Sequence, residues 1–317
     1  SCTSAMYVDS CTSTICVGSH RSDTPQASLM RAAAEGGCMS LDRPDLSGST
    51  AFITGTTRGI GKQIALDLAE QGCNVVSTGK TSEEDDYGEE RDMEGSIEQT
   101  AREVEDRGAE ALAIKLDVRD QESVEAAAER AIDHFGEVNI VINNASAIQL
   151  LPTSDLPPKR FDLMTDVNVR GTYLTSRTFI DHLQDVENAW VLTNAPPITV
   201  DRMPGSAPYT WSKLGMTFIT LSLAEELSNY DVGCNSFWPV TAIDTRATRY
   251  FGLGTEDDWR TPDILSDTVL EILSRDPGEF TGNAVYDEEL LREAGLADFS
   301  EYNLTPGDPR PMSAQMA

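Results

Sequence analysis

The chain has 317 residues, enough for one large α/β domain or two small ones around a buried core. Its 53 acidic and 24 basic residues give a net charge of −29, which excludes nucleic acid as a partner because phosphates demand a basic footprint. No run of about 18 apolar residues marks a membrane span, and no basic and apolar leader marks a secretory signal.

Only five of the cations are lysine (Lys62, Lys80, Lys115, Lys159, Lys213), and the acidic excess is spread over the whole chain. Such a surface resembles proteins of salt-accumulating microbes, where ionic strength screens self-repulsion, and is read as a halophilic adaptation to solvent. Residues 1–45 are rich in Ser, Thr, Ala and Cys and show no sustained period. They are expected to be a disordered leader or a start site placed too early, with the working protein beginning at Met39; a cysteine-based sensor tail is the alternative. Four of the six cysteines (Cys2, Cys11, Cys16, Cys38) lie here at spacings that make no zinc pattern. Cys73 and Cys234 stand singly where strands begin, so no metal and a reducing, cytoplasmic setting are expected.

From Thr50 the pattern alternates strand and helix. The apolar run AFITG breaks into TTRGIG and passes directly into the amphipathic segment KQIALDLAEQG (62–72). Gly55 suits a tight turn off the strand, Gly59 a close backbone approach to a pyrophosphate, and Gly61 close packing of helix on sheet. The helix N-terminus adds free N–H groups and a positive dipole end for phosphates. Strand NVVSTG (74–79) precedes an acidic loop, a helix over 96–107, strand ALAIKLDV (111–118), a helix over 120–136 and strand VNIVINNAS (138–146). A long helix over about 159–185, strand AWVLTNA (189–195), a helix over 208–229 and strand DVGCNSFWP (231–239) follow. An irregular stretch over 240–262, a helix over 263–275 and a strand near GNAVYD (282–287) complete the pattern. This rhythm predicts a three-layer, doubly wound parallel sheet of about seven strands, as one domain over 46–290 with a C-terminal tail over 291–317.

Tyr209 and Lys213 fall four residues apart on the helix after the fifth strand, so they share one face. An ammonium beside the phenol favours phenolate and lowers its pKa, allowing proton exchange with a carbonyl or alcohol. Alone, Tyr-x-x-x-Lys is most often a surface pair. Downstream of the glycine turn, and after this strand, it is read as catalytic.

With these residues the chain resembles the classical short-chain dehydrogenases/reductases over roughly 46–290, and within them the hydroxysteroid dehydrogenase-like proteins. The resemblance implies a Rossmann-type fold, a cofactor loop at Gly55, Thr57, Arg58, Gly59, Ile60 and Gly61, and an adenine contact from Asp117. It implies a cofactor contact from Asn144 in NNAS, where Ser146 replaces the usual glycine. Asn168, in DVNVRGTY, matches the asparagine that holds a proton-relay water beside the active-site lysine. Pro239 and Thr241, in WPVTAIDT, match the segment that closes over the nicotinamide, with Val240 replacing a glycine. Tyr209 is then the general acid or base, and Lys213 its pKa modifier and a ribose ligand. Pairing of the two long helices into homodimers or homotetramers is implied as well.

One departure is conspicuous. The family serine some 13 residues before the tyrosine, which donates to the substrate oxygen, is absent; Ala195 and Pro196 stand there. The hydroxyls of Thr193 or Thr199 or the amide of Asn194 are candidate substitutes. For the cofactor, Gly79 and Lys80 end the second strand where a dehydrogenase selecting NAD carries a carboxylate. With Arg58 they favour NADP over NAD, while the acidic loop at 83–86 pulls the other way. The expected function is NADP-dependent hydride transfer between nicotinamide and a small-molecule carbonyl or secondary alcohol. The alternative is an NADP-binding regulatory protein with weak or no turnover. Ile148, Leu150, Leu151, Trp238, Tyr250, Phe251 and Trp259 are candidates for an apolar substrate pocket or for core.

Overall fold

A computed structural model of the chain describes residues 41, 43–83, 95–198 and 207–312. Strand β1 (Thr50–Thr54) is followed by α1 (Gly59–Glu70), β2 (Asn74–Gly79), α2 (Ile97–Glu105) and β3 (Ala111–Lys115). Next come α3 (Gln121–Phe135), β4 (Ile140–Asn143), α4 (Pro158–Met164), α5 (Gly171–Leu183), β5 (Ala189–Asn194) and α6 (Ala207–Glu226). The remaining elements are β6 (Val232–Trp238), β7 (Ala242–Ile243), α7 (Arg246–Phe251), β8 (Trp259–Arg260), α8 (Asp263–Leu273), β9 (Ala284–Tyr286) and α9 (Asp287–Glu293).

Seven strands pair in parallel in the order β3-β2-β1-β4-β5-β6-β9, with the direction of winding reversing between β1 and β4. All five residues of β1 are buried, as a strand covered on both faces requires. Ala51 and Ile53 face one core layer with Ile64 and Leu68 of α1, Ile264 and Val269 of α8, and Leu291 of α9. Phe52 faces the other, with Val124 of α3, Phe179 of α5 and Leu223 of α6. The result is the expected three-layer, doubly wound α/β fold. Local chemistry starts its helices: Ser96 Oγ accepts from Gln99 N–H at 3.0 Å ahead of α2, and the Asp120 side chain accepts from Glu122 N–H ahead of α3.

The structure departs from the expected boundaries in three places. The long helix over 159–185 is not uniform, because Thr165–Arg170 winds as a π-helical turn between α4 and α5. The chain beyond 290 is not a tail among the described residues: Leu291, Leu296, Phe299 and Tyr302 are buried in the same layer as α8. At the other end, the expected leader falls almost wholly outside the described residues, but Arg43 Nη1 already donates to Asp267 at 2.6 Å and Leu46 is buried. No helix among the described residues is long and apolar enough to cross a membrane.

Candidate active site

Gly55 leaves β1 with φ +76°, its N–H bonded to Thr78 O at 2.9 Å, and Gly59 opens α1 with φ +59°. Both lie in the left-handed region where a side chain is strained. At Gly61 the limit is space: a Cβ there would stand 2.3 Å from Asn144 Nδ2 and 2.4 Å from Gly55 O. The first turn of α1 carries no acidic residue, and Arg58 at its N-cap makes no side-chain cap. Its N–H groups and the positive dipole end are therefore left for an anion.

Thr57, Arg58, Ile60 and the three glycines line one end of a cleft of about 610 Å³ at the carboxyl ends of the strands, where the sheet reverses direction. That is the site at which doubly wound sheets bind ligands, and the volume lies in the range of small-molecule pockets. Asn144 secures the glycine turn, its Nδ2 donating to Thr54 O at 3.1 Å and Gly55 O at 3.0 Å. Its Oδ1 accepts from Asn194 Nδ2 at 3.1 Å, which joins the ends of β4 and β5.

Farther along the cleft, Lys80 Nζ and Arg119 Nη2 meet the same carboxylate oxygen of Asp117, at 3.0 and 2.6 Å. The Arg119 guanidinium, and after it Lys80, holds the Asp117 carboxyl far below the usual carboxylate range. Glu83, the described edge of the acidic loop, is turned to Arg102 at 2.5 Å, and positions 84–86 lie outside the described residues.

Tyr209 and Lys213 both open onto this cleft from α6. The sequence argument expects the lysine to depress the phenol, but burial dominates at both groups. It pushes the Tyr209 phenol above its ordinary value and brings Lys213 down to about 7. Lys213 Nζ donates to Asn194 O at 2.6 Å and stands 5.1 Å from the centre of the Trp238 indole. Its charge is thus spent on a carbonyl and an aromatic face.

Two expected residues stand behind the cleft and do not line it. Asn168, buried in the π-helical turn, receives Ala147 N–H on Oδ1 at 2.7 Å and donates from Nδ2 to Ala147 O at 3.0 Å and to Ser212 Oγ at 2.9 Å. With both amide hydrogens committed, its side chain braces the loop after β4 against α6. Thr241 is fully buried, and its hydroxyl has no partner among the described residues; its neighbour Pro239 does line the cleft.

Of the hydroxyl candidates for the missing serine, Thr193 is corrected too. Thr193 Oγ1 accepts from Thr220 Oγ1 at 2.7 Å inside the layer between sheet and helix, Ala195 is buried outside the cleft lining, and Thr199 lies outside the described residues. Asn194 is the polar side chain of this stretch that reaches the cleft, and its buried Oδ1 has no hydrogen-bond partner among the described residues. Ile148, Leu150, Trp238 and Tyr250 line the cleft as expected, whereas Leu151, Phe251 and Trp259 do not. Trp259 is held in the core, its Nε1 donating to Leu253 O at 2.5 Å. Sequence reasoning missed Leu253 and Met312 in the cleft wall, and Arg119, which holds Asp117 from outside that wall. Arg119 was within reach of it, two residues after Asp117; nothing in the sequence brings Met312 to this site.

Residues 49–252 match the family described as short chain dehydrogenase. Hydroxysteroid dehydrogenase-like protein 2 of Xenopus tropicalis is 43% identical over 267 residues, covering 83% of this chain and 62% of that protein. Its Rattus norvegicus counterpart is 42% identical over 267 residues, covering 83% and 50%, so the chain spans little more than half the length of these curated relatives. A solved short chain dehydrogenase of Mycobacterium thermoresistibile is 37% identical with a TM-score of 0.76, covering 84% of this chain and 94% of that one. From the glycine turn to the Tyr-Lys pair, fold, cleft and likeness agree: the chain belongs to the short-chain dehydrogenase/reductase family.

Proposed function

We propose that this chain is an NADP-dependent oxidoreductase that moves a hydride between nicotinamide and a carbonyl or secondary alcohol. The observation that carries the reading is that Tyr209 and Lys213 open onto the same cleft as the glycine turn. The donor set fits a dinucleotide: an uncapped helix N-terminus for the pyrophosphate, and for a 2′-phosphate Arg58 in the cleft wall with Lys80, which shares the carboxylate of Asp117 with Arg119. Gly79 ends β2 without the carboxylate that would select a ribose hydroxyl, and Glu83 is neutralised by Arg102.

The nicotinamide, when bound, supplies or accepts the hydride. In the direction of reduction, Tyr209 gives its phenolic proton to the substrate oxygen, and burial keeps that phenol protonated until a partner arrives. Lys213, whose charge is poised near neutrality, stabilises the phenolate left behind. Asn168 acts as a positioning residue that holds Ala147 and Ser212 together beside Tyr209. Asn194 supplies the polar wall group in place of the absent serine.

A second reading, an NADP-binding regulatory protein with weak turnover, is favoured by one observation: no hydroxyl from Thr193 or position 195 reaches the cleft. Oxidation of NADPH and NADH across aldehydes, diketones and bulky ketones in molar KCl separates the two, with Tyr209→Phe alongside. The oxidoreductase reading expects a preference for NADPH and a loss of roughly 100- to 10,000-fold in the variant with cofactor affinity retained. Cofactor binding with no turnover on any substrate establishes the second reading.

The exposed aromatic residues Tyr173 of α5 and Trp211 and Phe218 of α6 support pairing of these helices into a homodimer or homotetramer. Free, buried Cys73 and Cys234 suit a reducing, cytoplasmic setting, and the acidic surface suits high salt. Elution at the monomer mass in molar KCl overturns the assembly.

A further inference from the structure

The stretch from Tyr302 to Met312 returns across the molecule to the cleft. Its course is built by specific contacts: Tyr302 O accepts from Thr261 N–H at 2.7 Å, and Asn303 bridges Arg260. Arg310 then grips Asp258 with both arms, Nε to Oδ1 at 2.7 Å and Nη2 to Oδ2 at 2.9 Å. Asp258 is itself buried and locked in a capping box with Thr255. A bidentate pair onto a fixed carboxylate orients the residues that follow. Pro311 pairs with Thr241 in an antiparallel bridge, and Met312 N–H donates to Val240 O at 2.9 Å. Met312 thereby becomes part of the wall of the cleft, in company with Ile148, Leu150, Tyr250 and Leu253.

These five side chains are apolar or aromatic, whereas the glycine turn, Lys80 and Asp117 give the cleft a polar part, with Arg119 bound to Asp117 behind it. The cleft therefore has a polar, phosphate-binding part and an apolar part. The backbone from Pro239 to Thr241 is held by the returning segment. A methionine is a fitting terminus for such a wall, since its unbranched thioether adapts to irregular apolar shapes.

We propose that Met312, brought to the cleft by Arg310 and Pro311, is the wall residue that selects carbonyl compounds bearing an extended apolar chain, with Arg310 the positioning residue that seats it. The substrate class rests on the oxidoreductase reading; the wall itself rests on the contacts above. Removing the Met312 side chain takes away several apolar atoms from the chain-binding surface, and discrimination in apolar pockets changes by about tenfold or more on that scale.

The test uses the full chain, Met312→Ala and Arg310→Ala, with 2-decanone and 2-butanone as probes. NADPH affinity checks that each variant keeps its cleft. Calorimetric binding of both ketones to the NADPH-saturated protein is measured beside turnover, so the result does not depend on catalysis. The expected outcome is a preference for 2-decanone that falls at least about tenfold in Met312→Ala and in the same direction in Arg310→Ala, with NADPH affinity unchanged. An unaltered long-to-short ratio in Met312→Ala, in binding and in turnover alike, overturns the wall. An unaltered ratio in Arg310→Ala alone overturns its seating role. A parent chain that binds the ketones and turns over neither sinks the oxidoreductase reading instead, while the binding ratio still decides the wall.

Discussion

Asp287 Oδ1 accepts the backbone N–H of Val240 at 2.9 Å, tying the start of α9 to the segment whose Pro239 lines the cleft. The same oxygen takes Glu288 N–H at 2.7 Å, while Oδ2 is buried with no partner among the described residues. Burial is the main reason that this carboxyl is pushed up to about 7, with the two N–H groups and Arg260 opposing it. The neutral form is thus favoured in the folded protein.

The sign of the pH effect follows. The folded value, about 7, lies above the unfolded 3.8, so the advantage of the neutral carboxyl is complete below the unfolded value and is lost as pH climbs through about 7. Asp287→Asn keeps the acceptor for Val240 and cannot ionise. It is expected to be more stable than the parent by roughly 2–4 kcal/mol at about pH 8, with the gap shrinking toward about pH 5. Chemical unfolding at a series of pH values measures it, and a gap that widens on acidification contradicts the assignment.

Lys80→Ala removes one cation from the group around Asp117. A charge-assisted contact to a 2′-phosphate is worth about 1.5–3 kcal/mol, so NADPH affinity drops roughly 10- to 100-fold while NADH affinity barely moves. Fluorescence titration of both cofactors reads the ratio. Equal losses for the two place the 2′-phosphate elsewhere.

Gly61→Ala puts a methyl group 2.3 Å from Asn144 Nδ2 and 2.4 Å from Gly55 O. Neither neighbour yields easily, because one is backbone and the other is bonded to Thr54 and Gly55. A stability loss of about 1–3 kcal/mol and failure to bind cofactor are expected. A variant that binds NADPH with parental affinity shows that the loop relaxes without cost.

With 53 acidic and 24 basic residues, the folded chain repels itself at low ionic strength. Raising KCl from about 0.1 M to about 2 M shortens the screening length from about 10 Å to below 3 Å and is expected to raise the unfolding midpoint. An equal rise on adding an uncharged osmolyte attributes the effect to excluded cosolute, not to charge.

The strand and helix alternation, the glycine turn and the Tyr-Lys pair were all legible in the chain order, since each is a local pattern read over a few residues. Asp117 and Asn144 were singled out by the resemblance, and both line the cleft. What misled the sequence argument was the surroundings. Thr193 offers a hydroxyl on paper, but its partner is Thr220 on α6. The bonds of the Asn168 amide to Ala147 and Ser212 were likewise beyond the sequence. The effect of Lys213 on Tyr209 was inferred from helix spacing alone, whereas burial acts on both groups and dominates.

By itself, therefore, the sequence determined the layered fold and the glycine turn, because glycine spacing and hydrophobic period are properties of adjacent residues, and its motifs carried the resemblance to the family. Only the tertiary structure decided which side chains face the apolar part of the cleft. Met312 reaches it through Arg310 and Asp258, 52 positions apart, and Val240 is held by Asp287, 47 positions away. Contacts of that span depend on how the chain closes on itself, which no local pattern encodes.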